Sequence, residues 1–255
     1  VTLARAGARG IESLDALKAA LYAHSYLGYG AAHMETRVRA TLAHALAEAD
    51  GASHPNPCGF RGFVDQMEDG RLEGTGDLAG CSRLIRAEMR GILQSVGGAG
   101  LRLPREAIKG RFLGMSLLYH LTHFINLAVP TLEHFPSPTI AELTAAVDVL
   151  CRMPWERLKL LDGKDPNTPT DRLQGRCFDG ALITTLLRES DELGFGFDEQ
   201  SRTITFVETV SETELEWSLG ATIALTHPLA LARARGAVST GMSGRGGGGD
   251  AGAGA

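Results

Sequence analysis

Hydrophobic positions recur along this chain mainly at helical spacing. Val38, Leu42 and Leu46 fall four apart within Ala31 to Ala49 and predict one amphipathic helix. Leu84, Ile85, Met89 and Ile92 predict a second over Leu78 to Val96. Phe112 to Ala128 is the most apolar stretch and predicts a central helix. Ser137-Pro138 supplies an N-cap with Pro at the first helical position, opening a helix that runs to Cys151. Shorter helices are expected over Trp155 to Leu161 and Phe178 to Ser190, with a polar loop to Thr170 between them. Strand-like runs are fewer: Leu21 to Tyr29, and Thr203 to Val207 after the Phe195-Gly196-Phe197 turn. From Asp50 to Gly80, glycine, proline and asparagine predict loops and a hairpin. Helices with few strands describe a mixed α/β domain.

Near the C-terminus Ser211 and Glu214 form a Ser-x-x-Glu capping signal, predicting a helix from about Glu212 to near Pro228. On it Trp217, Gly220, Ala221 and Ala224 share one face. A glycine inside a helix costs about 1 kcal/mol against alanine, so this face is approached closely by another backbone or by a ligand. Beyond Ala234 the tail GMSGRGGGGDAGAGA offers too little apolar surface to offset its ordering entropy, and disorder is expected.

Composition narrows the function classes. Of 255 residues 44% are apolar and 22% charged, enough for a real core, and the net charge of −5 disfavours nucleic acid as a main partner. No apolar run approaches the ~18 residues of a membrane span. Cys58, Cys81, Cys151 and Cys177 contain no CxxC pair, which removes the common zinc-knuckle and thioredoxin spacings. Buried free thiols and disulfides in an oxidising compartment both remain open on these grounds.

Ser116, Tyr119, His120 and His123 form a polar stripe along the otherwise apolar stretch after Phe112. Burying four such side chains without partners would cost several kcal/mol, so the stripe faces solvent or a cleft. His120 and His123 could ligate zinc, but no third ligand completes a set; a wall touching a planar ligand is the better reading. Arg172 and Arg176 bracket the turn before Cys177, either as solvated arginines or for recognition of an anion or a base. Gly74-Thr75-Gly76-Asp77 is a turn or a short phosphate-approaching loop, and Asp179 is a favourable charge at a helix start. There is no nucleophile elbow, HExxH or complete catalytic set.

Taken in order, several segments resemble the apyrase family of nucleoside di- and triphosphatases. Tyr22 to Gly30 (YAHSYLGYG) resembles the family's YxHSxLxYG stretch, and Asn56-Pro57-Cys58 with Gly59-Phe60 its NPC…GF loop. Phe112 to Tyr119 resembles FxxxSxFY, while Cys151 with Trp155 and Cys177 with Asp179 resemble its C…W and CxD positions. Trp217-Ser218-Leu219-Gly220-Ala221 resembles WxLGA. The resemblance implies a partial ribonuclease-H-like lobe, of the actin and sugar-kinase type, with added helices. It implies that residues 1–234 are the C-terminal part of such a phosphatase, the second lobe plus the return segment to the first, followed by a Gly-rich tail over 235–255.

By the same resemblance, Arg172 and His120 would contact the base, and Trp217 and Gly220 would line the inner cleft. Cys58–Cys81 and Cys151–Cys177 would be disulfides, in a Golgi or endoplasmic-reticulum lumen, membrane-associated or outside the cell. The partners would be nucleoside di- or triphosphates, with Ca²⁺ or Mg²⁺ as cofactor. An aromatic residue commonly stands where this chain has His120. The family's DxGS-like and GGAS-like phosphate loops and its catalytic Glu have no match here, so these 255 residues alone are expected not to release phosphate. The alternative is a non-catalytic nucleotide-binding remnant of the fold.

Overall fold

The computed structural model describes residues 2–4, 21–23, 26–49, 52–96, 110–188, 193–210 and 213–214. The chain divides into two units, Val1–Glu208 and Thr209–Ala255. In the first unit β1 (Thr2–Ala4) pairs antiparallel with β2 (Leu21–Ala23). Of the strand expected over Leu21 to Tyr29, Leu21–Ala23 forms one, whereas Gly28, at φ +88°, takes part in a turn before α1 (Ala31–Glu48). Helix α1 buries Met34, Val38, Leu42 and Leu46, the stripe its spacing predicts.

The glycine- and proline-rich region holds a three-stranded sheet. Strand β3 (Ser53–Asn56) runs parallel to β5 (Gly70–Gly74), which pairs antiparallel with β4 (Val64–Met67), in the order β3-β5-β4. Met67 faces Gly70 across the two-residue loop Glu68-Asp69, and Pro55 is tolerated because β3 is an edge strand. Helix α2 (Leu78–Val96) follows and is joined to the loop after β3 by the Cys58–Cys81 disulfide.

Phe112 to Ala128 is not one helix. Phe112–Gly114 forms β6, parallel to β7 (Ile204–Phe206), and the helix α3 spans only Leu117–Ala128. The pairing of Phe112 with Ile204 and Gly114 with Phe206 explains the change, because Phe112 on one strand and Ile204, Thr205 and Phe206 on the other suit a pleated surface. A Cβ on Gly114 would lie 2.6 Å from the Phe206 ring, so glycine permits this close pairing.

Helix α4 (Ile140–Cys151) starts two residues later than the Ser137-Pro138 signal suggests. Thr139 is its N-cap: its hydroxyl accepts from Glu142 N–H at 3.0 Å, while Glu142 accepts from Thr139 N–H at 2.8 Å. The Thr139 N–H, helped by Arg202 and His134, holds the Glu142 carboxyl below its ordinary range. Its contribution to stability is therefore present above the unfolded carboxyl pKa and fades as pH falls through the lowered folded value. Replacing Thr139 by Ala is expected to cost about 1 kcal/mol in urea unfolding, the usual loss of an N-cap.

Short helices α5 (Trp155–Leu158), with a 3₁₀ turn over Lys159–Leu161, and α6 (Thr170–Leu173) lead to α7 (Arg176–Leu187). Helix α7, not the 112–128 segment, is central. Every residue from Arg176 to Thr185 is buried, and α7 packs on α4, α2, α3 and α1. The approach to α4 is close: a Cβ on Gly180 would stand 2.7 Å from Val147, and Cys151–Cys177 joins the end of α4 to the start of α7. Helix α7 begins two residues before the expected Phe178, because Gly175 serves as its N-cap.

In the second unit Thr209–Val210 (β8) pairs antiparallel with Thr213–Glu214 (β9). Two positions expected in the capped helix are thus a hairpin strand, as the β-branched residues Thr209, Val210 and Thr213 favour. Ser211, Trp217, Gly220 and the Gly-rich tail lie outside the described residues.

Candidate functional site

The site grows from the carboxyl ends of the parallel pair β6 and β7, the place where ligands bind in open α/β sheets. After β6 the chain turns at Ser116, an exposed N-cap held at φ 55° and ψ −125°, the one non-glycine residue of positive φ among the described residues. After β7, Val207 N–H donates to the Gly114 carbonyl at 2.9 Å and Glu208 follows. Helix α3 then presents Tyr119, His120 and His123, each half-buried, on the face the sequence spacing implies.

These side chains form a ledge of rings. Tyr119 lies 5.6 Å from His123 and 5.9 Å from His120, and Phe135 lies 6.1 Å from His123 and 6.4 Å from Tyr119. Burial, then the charges of Glu208 and Asp165, push the Tyr119 phenol above its ordinary range. His120 Nδ1 is buried without a hydrogen-bond partner among the described residues.

Behind the ledge runs a chain of polar contacts. His123 Nδ1 lies 3.0 Å from Oδ1 of Asp165, whose side chain is fully buried. Thr168 Oγ1 donates to Asp165 Oδ2 at 2.5 Å and accepts from Arg176 Nε and Nη2 at 3.1 and 2.7 Å. Arg176 also donates to the Asn167 carbonyl, meets Asp179 at 3.1 Å and sits 5.8 Å over the Phe124 ring. Burial pushes the Asp179 carboxyl up in spite of Arg176, and Glu35 adds to the rise. Arg176 is therefore a buried ion-pair member rather than a solvated arginine, and Asp179 is its counter-ion.

Arg172 is exposed on α6, close enough to Asp179 to favour its charged form. No hydrogen bond or cation–π contact among the described residues joins it to His120. What the structure does bring together is the segment that carries Arg172 and the helix that carries His120, through Asp165, Thr168 and Arg176. That relay had no signal in the His stripe, since His123 and Asp165 are 42 residues apart. The Arg176/Asp179 spacing of three was a usable sign of a helical ion pair.

The glycine loop is a packing feature. A Cβ on Gly74 would meet the Phe60 carbonyl, and one on Gly76 the Cys151 carbonyl, so protein backbone fills the approach that a phosphate would use. The Asn56-Pro57-Cys58 segment is likewise structural: Asn56 Oδ1 accepts from Cys58 N–H at 2.9 Å, and buried Phe60 stacks on Trp155. A cavity of about 70 Å³ between α1, the three-stranded sheet and the start of α7 is lined by Glu35, Arg39, Asp65 and Gln174 with Asn56, Cys58 and Gly59, and neither His120 nor Arg172 borders it. Among the described residues no three His, Cys, Asp or Glu side chains converge to hold a metal ion. The described residues thus offer no cluster that fits Ca²⁺ or Mg²⁺.

The arrangement is that of a ring-lined surface backed by a fixed polar relay, on a mixed α/β scaffold with small sheets and several helices. The chain belongs to the GDA1/CD39 (nucleoside phosphatase) family, whose model matches residues 8–236. It is similar to ectonucleoside triphosphate diphosphohydrolase 8 of Bos taurus, 28% identical over 81% of this chain and 43% of that protein. It is also similar to the Gallus gallus protein of the same name, 26% identical over 81% and 43%, and to the Golgi apyrase of Schizosaccharomyces pombe, 24% identical over 83% and 40%. The chain thus spans less than half the length of these curated relatives. Both disulfides are formed, and no described helix is long and apolar enough to cross a membrane.

Proposed function

We propose that this chain forms the nucleoside-holding side of a nucleotide cleft in a nucleoside di- or triphosphate phosphohydrolase. The carrying observation is the ledge of Tyr119, His120, His123 and Phe135 at the carboxyl ends of β6 and β7, in a chain of this family. In this reading His120 stacks on the base and Arg172 closes over it, a planar guanidinium being suited to a ring face. Trp217 and Gly220 line the inner cleft, within a lobe of ribonuclease-H-like type formed by residues 1–234. Hydrolysis of the terminal phosphoanhydride, with Ca²⁺ or Mg²⁺, is assigned to the whole protein. The two disulfides support a secretory lumen or the cell exterior as its place of work.

The test is ADP binding by titration calorimetry. Replacing His120 or Arg172 by Ala is expected to weaken it about 5- to 150-fold, the effect of losing one stacking contact. Equal affinity of both variants and the unaltered chain would contradict the site. Phosphate release from ATP or ADP by the 255 residues is expected to stay at the level of a Trp217→Ala control.

A further inference from the structure

We propose that His123 is a nucleoside-contacting residue that acts as a hydrogen-bond acceptor, and that Asp165 sets it in that role; this rests on the nucleotide reading above. The direction of every hydrogen bond in the relay follows from the donor inventory. Arg176 has no acceptor, so both of its contacts to Thr168 Oγ1 are donations. They occupy the lone pairs of that hydroxyl, and its own proton goes to Asp165 Oδ2. Asp165 is then left with Oδ1 facing His123, and an ionised carboxylate only accepts. The proton of neutral His123 is thereby placed on Nδ1, and Nε2 carries a lone pair.

Nε2 is the free end of a ring with about a third of its side chain exposed. The ring is held by Tyr119 and Phe135, so the lone pair has a fixed place on the ledge. Its complement is a neutral hydrogen-bond donor of a nucleoside, either a ribose hydroxyl or a base amino group. His123 would contact the ligand; Asp165, Thr168 and Arg176 are positioning residues.

Asp165→Asn tests the direction. The Thr168 proton still needs an acceptor, so the amide oxygen turns to Thr168 and the amide NH₂ to His123 Nδ1. The imidazole must then carry its proton on Nε2 and oppose a ligand donor with a donor. In long-range ¹H–¹⁵N correlation spectra of the ¹⁵N-labelled 255-residue chain, neutral His123 is expected as the Nδ1–H tautomer, and the Asn variant as Nε2–H. On adding ADP the His123 Nε2 resonance should move. Asp165→Asn should weaken ADP binding about tenfold, and His123→Ala, which removes both the acceptor and the ring, should weaken it at least as much.

A 2′,3′-dideoxy-ADP that no longer shifts Nε2 identifies the ribose as the donor, and the diphosphate of purine riboside, which lacks the amino group, identifies the base. Finding His123 as Nε2–H in the unaltered chain overturns the proposal even if the Asn variant does not fold. ADP binding with Nε2 unmoved overturns it while leaving the nucleotide reading standing. Failure of ADP to move any resonance contradicts both, and the tautomer of His123 then shows separately whether Asp165 sets its proton.

Discussion

Replacing Arg176 by Met is expected to destabilise the chain by about 3–5 kcal/mol at neutral pH, the cost of breaking a buried ion pair from one side. Arg176 is 3% exposed and meets Asp179, Thr168 and the Asn167 carbonyl, so three buried or part-buried acceptors lose their donor at once. Methionine keeps much of the volume over Phe124, which limits the packing loss. The sign of the pH dependence separates charge from packing. Burial already raises the Asp179 carboxyl, so the folded state binds its proton more tightly than the unfolded state and stability falls as pH rises between the two pKa values. Without Arg176 that rise is larger and the window wider. The deficit of the variant should therefore shrink as pH falls through the carboxylate range, measured by urea unfolding at several pH values. A deficit constant from acidic to neutral pH would assign the loss to packing instead.

Removing Cys151 and Cys177 together, as the double Ala variant, is expected to cost about 3 kcal/mol. The bridge closes a loop of sequence separation 26 that contains α5, α6 and the whole Asp165–Arg176 segment. Its loss widens the unfolded ensemble, and it also frees the start of the central helix α7 from the end of α4. Chemical denaturation of the variant beside the oxidised parent measures the difference. A change below about 1 kcal/mol would mean that the packing of Gly180 on Val147 fixes this junction unaided.

The helices read well from sequence where one face alone is buried. In α1 and α2 the inward residues fall at helical spacing, so periodicity locates both. Helix α7 hid its centrality because burial on every side leaves no polar face to give a period. The 112–128 stretch hid a strand for a related reason: Phe112-Leu113-Gly114 is too short and apolar to show its pairing with Ile204–Phe206, ninety residues away in the chain. At Thr213–Glu214 the capping signal misled, because these two residues pair as a strand with Thr209–Val210, three of the four being β-branched.

The site divides along the same line. Tyr119, His120 and His123 were visible as a stripe, since helical spacing alone puts them together. Asp165, Phe135 and Glu208 come from three other segments, and only the fold brings them to the stripe. Arg176 was the residue most open to misreading, because a guanidinium is ordinarily solvated unless partners such as Thr168 and Asp179 surround it.

In the proposed site a nucleoside is held on the α3 ledge at the carboxyl ends of β6 and β7. Amide hydrogen exchange of the 255-residue chain with and without saturating ADP tests it most directly. Slowed exchange is expected over residues 116–123 and 165–176, with α1 and the β3-β5-β4 sheet unchanged. Protection confined to the cavity lined by Glu35, Arg39, Asp65 and Gln174, or no ADP-dependent change anywhere, would contradict it.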